Sequence, residues 1–432
     1  MRRLLLPALL LLWFGGCALK ESPEPDLSER ISPFLSQLPP PQEASEVSRR
    51  YTGFLGRRYA PWSMRELNAT RKEATWAIGH YAAKPLFAEN RRPLPKERFE
   101  AWVRNADYGA FNTLRRHAVT LHPTSLRLFP TMRPIFYDPS LPGEGYPFDY
   151  NQNSAVKPFT PLIVSHLSRD GAWAFVQTPF ALGWLPVRDI GYVSEAQIGR
   201  IVKMANLVVL KEGAPLYDGS QRFLFYAKMG TVLPLVGEED GFFRILVPLK
   251  EGEGVRLEET LFPRGWGERM PLAMDAANVG RIAHTLLGEP YGWGGMVGNR
   301  DCSAMTRDFF APFGVWLPRN SARQAKVGRV IALAGLDAAA KERRIVEEGI
   351  PFRTLVHLRG HIMLYIGSRN GRAYVMHNLW GIRTRNGGRY IVGRAVVTPL
   401  GLGERLPEAA RESLPIERID SMNILLPPGA TP

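Results

Sequence analysis

The sequence predicts an α+β protein of several domains, in which a small helical region and two β-rich regions precede a domain of mixed helices and strands. Apolar residues recur at helical spacing from Met64 to Tyr81 and again from Lys96 to Ala106. From about residue 126 to 250, short apolar runs broken by proline and glycine indicate β-strands instead. A length of 432 residues allows roughly three domains of about 150 residues each.

The composition is that of a globular protein with a basic surface. Hydrophobic residues make up 45% and charged residues 22% of the chain, and the formal charge is +14. The two cysteines exclude a disulfide-stapled scaffold and a zinc site built from thiolates, and we expect neither a metal nor an organic cofactor. The positive charge favours anionic polymers or lipid headgroups as partners, or only keeps the surface solvated. No nucleic-acid recognition module is visible, so we expect no nucleic-acid partner.

The first residues predict an export signal rather than a buried helix. Two arginines after Met1 are followed by an uncharged stretch to Phe14 and then by small residues before Cys17. This arrangement resembles a bacterial lipoprotein signal over residues 1–17, although Phe14 replaces the usual leucine and leaves ordinary secretory cleavage open. The resemblance implies that Cys17 is acylated, which would anchor the exported chain in a lipid bilayer. Ala18 then implies the periplasmic face of the outer membrane.

Residues 18–42 combine prolines with serine and glutamate and predict a semi-extended tether that buries too little apolar surface to fold. With Cys17 acylated, Cys302 is the only thiol of the mature protein. An unpaired cysteine in an oxidising compartment is tolerated when it is inert in a core, or kept because its chemistry is needed. The residues around Cys302 therefore decide between these two interpretations.

Four predicted regions follow the tether. The stretches around Trp173 and Trp184 alternate like a hairpin in a small barrel, and this pattern resembles bacterial SH3-like domains. A second unit of the same kind starts near Leu207, and a helix from Met274 to Leu287 opens the last domain. The predicted boundaries are 43–122 for a mainly helical N-terminal region, 123–195 and 196–269 for two SH3-like barrels, and 270–432 for the last domain.

Cys302 stands where a helix is predicted to begin. From Ser303 to Phe313 the apolar residues lie on one helical face, which places the thiol at the helix N-terminus. Unpaired amides and the helix dipole favour an anion there, so we expect them to lower the thiol pKa and to stabilise an oxyanion. Asp301, immediately before the thiol, is either the N-cap of this helix or a substrate contact.

Two histidines are predicted on neighbouring strands. His361 opens the run His-Ile-Met-Leu-Tyr-Ile, and His377 closes the run Ala-Tyr-Val-Met-His. If residues 367–371 form the loop of the hairpin, His361 faces His377 directly. An imidazole beside a thiol acts as its base, and a second group on the far ring nitrogen fixes the tautomer. The thiol of Cys302 and these two imidazoles can fill the roles of nucleophile, base and orienting group.

Three motifs carry a resemblance to a known family. They are PYGWGG at 290–295 with DCS at 301–303, GHIMLYIG at 360–367, and VMHN at 375–378. Together they resemble the NlpC-type, papain-like cell-wall endopeptidases, and most closely the subgroup in which a stabilising region and two SH3-like domains precede the catalytic domain. The resemblance implies that residues 270–432 form a papain-like domain with helices packed on an antiparallel sheet. It also implies a cysteine peptidase that hydrolyses the bond between γ-D-glutamate and an L-diamino acid, diaminopimelate, in peptidoglycan stem peptides.

The resemblance also implies a role for each matching residue. Cys302 would be the nucleophile, His361 the base and His377 its orienting group. The implied substrate-binding residues are Tyr291 lining the active site, Asp301 and Ser303 on the amine and backbone of a terminal L-alanine, and Ser321 as a further contact.

The predicted first barrel would also restrict the substrate. We expect residues from about 126 to 193 to close the cleft on the N-terminal side of the substrate, which favours stem peptides with a free L-alanine amine. Such peptides are already detached from glycan, so the implied role is wall turnover or recycling. Ala304 replaces a glycine common in relatives, and a long insertion separates Ser321 from His361. These departures concern the shape of the pocket rather than its chemistry.

Two other functions fit parts of the sequence. A papain-like amidase or acyltransferase acting on another wall or lipid substrate would use the same nucleophile and base. A non-catalytic peptidoglycan-binding lipoprotein would use the barrels alone, with Cys302 as an inert core thiol. The complete set of one cysteine and two histidines argues against the second alternative.

Overall fold

The structure is a computed structural model that describes residues 27–426. It has the predicted α+β architecture, in which helices and two barrels precede a domain of helices packed on a sheet. The predicted signal over 1–17, with Cys17, and the start of the predicted tether lie outside the described residues. Among the helices of the described part, none is long and apolar enough to cross a membrane.

Helices come first along the described residues, strands dominate the middle, and the two kinds of element alternate in the last domain. The α-helices of residues 27–426 are α1 (Ala44–Ser63), α2 (Arg71–Ala74), α3 (Trp76–Ala82), α4 (Lys96–Asn105), α5 (Glu195–Ile201), α6 (Ala276–Leu286), α7 (Cys302–Phe310), α8 (Ser321–Gln324), α9 (Ala338–Glu348) and α10 (Pro415–Arg418). The strands are β1 (Arg116–Thr120), β2 (Thr124–Arg127), β3 (Gln152–Val156), β4 (Pro161–Leu167), β5 (Trp173–Gln177), β6 (Leu182–Pro186), β7 (Ile190–Tyr192), β8 (Ala205–Val209), β9 (Ala214–Tyr217), β10 (Phe223–Ala227), β11 (Val232–Glu239), β12 (Phe242–Glu251), β13 (Gly254–Pro263), β14 (Gly267–Arg269), β15 (Arg329–Ala332), β16 (Thr354–Leu358), β17 (His361–Arg369), β18 (Arg372–Arg383), β19 (Arg389–Pro399) and β20 (Ile419–Ile424).

Helix α1 connects the N-terminal region to both barrels. Tyr59 and Trp62 stack on each other and are buried. The Trp62 indole donates a hydrogen bond to the carbonyl of Ala118 at 2.8 Å, and the Tyr59 hydroxyl donates to the side chain of Asn206 at 2.9 Å. Because Ala118 lies in β1 and Asn206 in β8, two buried hydrogen bonds fix one helix to both barrels.

Two features of the N-terminal half differ from the prediction. The apolar stripe from Met64 to Tyr81 is not one helix, because a capping box formed by Thr70 and Glu73 begins a new helix, α2. Strand β1 lies inside the region 43–122 that was predicted as mainly helical. It pairs with β4 and β7 and therefore belongs to the first barrel.

The two barrels share one continuous sheet of 12 strands. The first barrel uses β1 to β7, and the second uses β8 and β11 to β14, while β9 and β10 form a separate hairpin. The barrels join where Gly254 of β13 pairs in parallel with Tyr192 of β7. Each barrel keeps an apolar core of its own.

The last domain consists of helices on an antiparallel sheet with the strand order β15-β20-β16-β17-β18-β19. One face of the sheet, with Ile362 and Leu364, packs against α6 and α7. The opposite face, with Met363 and Tyr365, packs against α9. Successive residues of β17 point to opposite faces, as strand geometry requires. Helix α7, which begins at Cys302, lies on the first face.

Residues 27–42 are not the free tether that was predicted for this part of the chain. A short 3-10 helix, Ser32–Gln37, forms here, and Ile31 and Phe34 are buried in the core of the last domain. The prediction was wrong over this part because a few apolar residues between prolines can dock on a surface that the rest of the chain already provides.

Candidate active site

Cys302 is the first residue of α7 and is 7% exposed. Its sulphur accepts hydrogen bonds from the backbone N–H groups of Ile362 and Ser303. Because Ile362 follows His361 in β17, the thiol lies beside the start of that strand. Packing of α7 across β17 and β18 therefore brings the predicted nucleophile to the strands that carry both histidines.

The free site holds a neutral thiol rather than the expected thiolate. Burial, together with the negative charge of Asp301, raises the pKa of Cys302 to about 12. The pKa of this thiol is lowered by the amides of Ile362 and Ser303 and by the cation of Arg319, but burial and Asp301 have the larger effect. The prediction that the helix N-terminus lowers the thiol pKa was wrong for this state, because desolvation and a neighbouring anion exceed the effect of the helix dipole.

His361 and His377 are hydrogen-bonded to each other across β17 and β18. Nε2 of His361 lies 2.8 Å from Nδ1 of His377. The rings are diagonal rather than directly opposite neighbours, because the register pairs Leu364 with Met376 and only residues 370–371 separate the strands. The predicted five-residue loop was wrong, since β17 contains a bulge and the turn is tighter. The imidazoles still meet because ring side chains reach across a diagonal.

The hydrogen bonds around His377 link the protonation of its two ring nitrogens to that of His361. His377 is fully buried, and its Nε2 lies 3.1 Å from the hydroxyl of Thr398 on β19. Burial lowers the pKa of His361 to about 4 and that of His377 well below its usual value, so both rings are neutral at pH 7. If His377 donates from Nε2 to Thr398, its Nδ1 accepts the Nε2–H of His361. Nδ1 of His361 is then left as the acceptor for a thiol proton.

Asp301 is the N-cap of α7, since its Oδ1 accepts a hydrogen bond from the N–H of Ala304 at 2.8 Å. Arg319 donates to Oδ1 and Oδ2 at 3.0 and 2.6 Å, and the Ser303 hydroxyl donates to Oδ1 at 3.0 Å. The N–H of Gly294 donates to Oδ2 at 3.2 Å. The structure therefore gives Asp301 the capping role, and both of its oxygens already have partners.

Arg319 is a residue of the site that the sequence reasoning missed. It also donates to the hydroxyls of Ser154 in β3 and of Ser303, each at 2.9 Å, and so links the first barrel to the start of α7. Ser321, the predicted contact, begins α8 and takes no part in this network. One signal in the sequence could have found it: Arg319 directly follows Pro318, and its cation can pair with the carboxylate of Asp301.

Tyr291 belongs to an aromatic wall of which the sequence located only a part. Its ring centroid lies 6.2 Å from that of Phe148 and 5.8 Å from that of Trp380. Phe148, on the long loop between β2 and β3, also lies 5.3 Å from Trp293. Burial, followed by the neighbouring Cys302, raises the pKa of Tyr291 well above its usual value, which places the phenol within electrostatic range of the thiol.

The first barrel closely approaches the glycine-rich loop that precedes Cys302. Gly294 and Gly295 have φ angles of 60° and 82°, a conformation that favours glycine. A Cβ on Gly294 would lie 2.5 Å from the carbonyl oxygen of Gln152, and one on Gly295 would lie 2.5 Å from the Cβ of Ala155. The missing side chains therefore allow β3 to pack directly on this loop.

Neither residues 331–352 of the insertion nor a metal site within the described part of the chain adds to this constellation. Ile331 and Ile345 of the insertion pack with Met363, on the face of the sheet opposite α7. Among residues 27–426, no group of three or more His, Cys, Asp or Glu side chains is arranged to hold a metal ion.

Comparison with family models assigns four parts of the chain. Residues 288–386 match the NlpC/P60 family, and residues 4–111 match its N-terminal stabilising domain. Residues 134–186 match an SH3 domain of the SH3b1 type, and residues 206–239 match one of the SH3b2 type. The four matches follow the order that the sequence motifs predicted.

Comparison with known proteins gives relatives of low identity. The chain is 27% identical over 192 residues to a γ-D-glutamyl-L-lysine dipeptidyl-peptidase of Bacillus cereus, which covers 44% of this chain and 54% of that protein. It is 29% identical over 173 residues to the Bacillus subtilis protein of the same name, covering 38% and 51%. The chain thus spans about half the length of the curated relatives that it matches.

A solved structure extends the likeness in fold over nearly the whole chain. An NlpC/P60 endopeptidase from Photobacterium damselae subsp. piscicida superposes with a TM-score of 0.79 at 24% identity. The match covers 89% of this chain and 93% of that one. At this identity the likeness shows the arrangement of the fold.

Proposed function

We propose that this chain, which belongs to the NlpC/P60 family through residues 288–386, is a cysteine endopeptidase that hydrolyses the bond between γ-D-glutamate and an L-diamino acid in peptidoglycan stem peptides. The observation that carries the proposal is a thiol at the start of α7 beside two hydrogen-bonded imidazoles. The names of the curated relatives support the γ-D-glutamyl bond, with lysine as the diamino acid. We extend it to diaminopimelate, another L-diamino acid.

The neutral resting state defines how the thiol would be activated. As the sulphur of Cys302 attacks the amide carbonyl, its proton passes to Nδ1 of His361, and the carbonyl oxygen becomes an oxyanion. The backbone N–H of Cys302, at the N-terminus of α7, would donate to that oxygen. His377 accepts from the Nε2–H of the imidazolium and so stabilises the charge.

Proton transfers through His361 complete both halves of the reaction. When the tetrahedral intermediate collapses, the carbon–nitrogen bond breaks and the imidazolium protonates the leaving amine of the diamino acid. The glutamyl group then remains on the sulphur as a thioester. A water molecule then attacks this thioester while His361 takes a proton from it, and collapse of the second tetrahedral intermediate releases the γ-carboxyl product as the proton from water passes to the sulphur.

The first barrel supports a preference for short stem peptides. Strand β3 packs on the loop at Gly294 and Gly295, and Arg319 bonds Ser154 of that strand, so the barrel stands beside the start of α7. A stem still joined to glycan would meet the barrel, whereas a free L-alanine amine would fit. Asp301 and Ser303 would contact this amine and backbone, and the amine would have to share the carboxylate with Arg319.

The proposed place of action is the cell envelope. Residues 1–17 support export and acylation of Cys17, and with Ala18 they favour the periplasmic face of the outer membrane. There the enzyme would act in wall turnover or recycling, with muropeptides and the lipid bilayer as partners. Radiolabelled palmitate incorporated into the wild type but not into a Cys17→Ala variant would test the anchor.

Digestion of defined peptides tests the activity. Purified wild-type protein should release diaminopimelate from L-Ala-γ-D-Glu-diaminopimelate, as seen by mass spectrometry, and the N-acetylated peptide should be a poor substrate. A Cys302→Ala variant with an unchanged melting temperature should release none. Release by that variant would overturn the assignment, and cleavage before the glutamate would instead indicate an amidase. A thiol that resists alkylation while the protein still binds sacculi would indicate a binding lipoprotein.

A further inference from the structure

A cavity separate from the active site lies beside α7, where the two barrels and the last domain meet. Its volume is about 400 Å³, within the range of small-molecule binding sites. Its lining includes neither the thiol nor the two imidazoles of the active site. The cations that line it are Lys157, Lys228, Arg300, Arg307 and Arg319.

All but one of these cations have carboxylate partners. The ion pairs are Lys157–Asp308, Arg300–Asp308, Arg300–Glu212, Lys228–Glu289 and Arg319–Asp301. Arg307 differs from the others, because its guanidinium forms no ion pair and no hydrogen bond with any of residues 27–426. It lies instead 4.2 Å from the ring centroid of Phe180, in the first barrel.

This guanidinium is only partly buried, and because its N–H donors have no acceptor among residues 27–426 they can bind a ligand in the cavity. Burial lowers the pKa of Arg307 to about 10, so the group still carries its charge near pH 7. Its planar fork of N–H donors matches the geometry of a carboxylate or a phosphate. Lys157, which lines the same cavity, adds a second positive charge nearby.

We propose that this cavity binds a small ligand through an oxyanion group, either a carboxylate or a phosphate, held by Arg307. The remaining lining suits an apolar body, because Pro123, Val297 and the ring of Tyr226 face the same space. Val297 and Tyr226 are 75% and 63% exposed, so the cavity has an accessible rim. The inference does not depend on the proposed peptidase activity.

Thermal unfolding of the full chain tests the site. Inorganic phosphate and succinate are the two probes, each compared with sodium chloride at the same ionic strength. A ligand that binds only the folded state raises the melting temperature, so the wild type should gain stability with at least one probe. The probe with the larger effect and the tighter Kd by calorimetry identifies the preferred oxyanion.

Two substitutions locate the binding. Arg307→Gln should abolish the rise in melting temperature that the probes cause. Arg323→Gln, which also removes one positive charge but from the exposed face of α8, should keep that rise. Should Arg307→Gln fail to fold, Arg307→Lys keeps the charge but not the fork and should bind about tenfold more weakly. Absence of any increase in the wild type, an equal increase in Arg307→Gln, or unchanged affinity in Arg307→Lys would overturn the proposal.

Discussion

Helix α7 has two sides on which buried polar groups serve different ends. On one side the thiol of Cys302 and the rings of His361 and His377 are neutral, as the proposed transfer of a proton from the thiol to His361 requires. On the other side the groups are fully charged: despite burial, Lys157 and Arg300 lower the pKa of Asp308 to about 2. One side is arranged for proton transfer and the other for holding three domains together.

The largest expected effect lies on the first side, at His361. Replacing it with alanine removes the base of the proposed mechanism, and we expect kcat/KM to fall on the order of 10⁴-fold. Hydrolysis of the alanyl-glutamyl-diaminopimelate peptide measures this loss. The control is His284→Ala on the exposed part of α6, which should keep full activity. Equal activity in the two variants would remove His361 from the chemistry.

The next largest effect is expected from substituting Arg319, which pairs with Asp301 beside the thiol and also lines the cavity on the charged side of α7. Arg319→Ala leaves the Asp301 carboxylate buried without its cation, and breaking such a pair costs about 3–5 kcal/mol of unfolding free energy. The pKa of Asp301 is lowered mainly by Arg319 against the effect of burial. The contribution of the pair to the free energy of unfolding is therefore present above the ordinary pKa of aspartate. It disappears as the pH falls through the lower pKa that Asp301 has in the folded protein. Urea unfolding should show the variants converging at low pH.

Arg323→Ala is the matched control for this experiment. It removes an exposed arginine four positions later and should change the unfolding free energy by less than about 0.5 kcal/mol. A loss in Arg319→Ala that stays constant down to the lowest pH would contradict the role given to the Asp301 pair.

The first side of α7 could be predicted from the sequence, whereas the second could not. Cys302, His361 and His377 lie in short motifs whose local patterns already indicate a helix start and two strands. The diagonal contact of the histidines depends on a β-bulge, and no residue type in β17 predicts that bulge. The neutral thiol depends on burial, which is a property of the assembled domain.

Residues contributed by other domains were the ones that sequence reasoning missed. Phe148, on a loop of the first barrel, packs against Tyr291. Lys157, directly after β3 of the same barrel, forms an ion pair with Asp308. Their partners lie more than a hundred positions away in the chain, so neither spacing nor periodicity connects them. The apolar docking of Ile31 and Phe34 was missed for the same reason, because it requires a surface built by the last domain.

A smaller effect is expected from Asp308, on the charged side. Its pKa of about 2, against an ordinary value of 3.8, corresponds to about 2 kcal/mol of stability that is present above pH 4 and lost as the pH falls to about 2. Asp308→Asn should lose that amount at pH 7 in urea unfolding and match the wild type near pH 2. The pH dependence of kcat should not change, because Asp308 does not contact the thiol or the imidazoles. A shifted kcat profile would show that the two sides are coupled.

The smallest predicted effect tests how far the proton-transfer side extends. In the proposed mechanism Thr398 is a positioning residue, because a hydroxyl that accepts a hydrogen bond from Nε2 of His377 leaves Nδ1 of that ring to accept from His361. Thr398→Val keeps the shape but removes the hydroxyl, and kcat should fall about fivefold with little change in KM, as expected for the loss of one hydrogen bond of about 1 kcal/mol. Thr398→Ser restores the hydroxyl and should recover most of the rate. If Thr398→Val kept the wild-type kcat, the tautomer of His377 would be set by His361 alone, and the relay would end at the second ring.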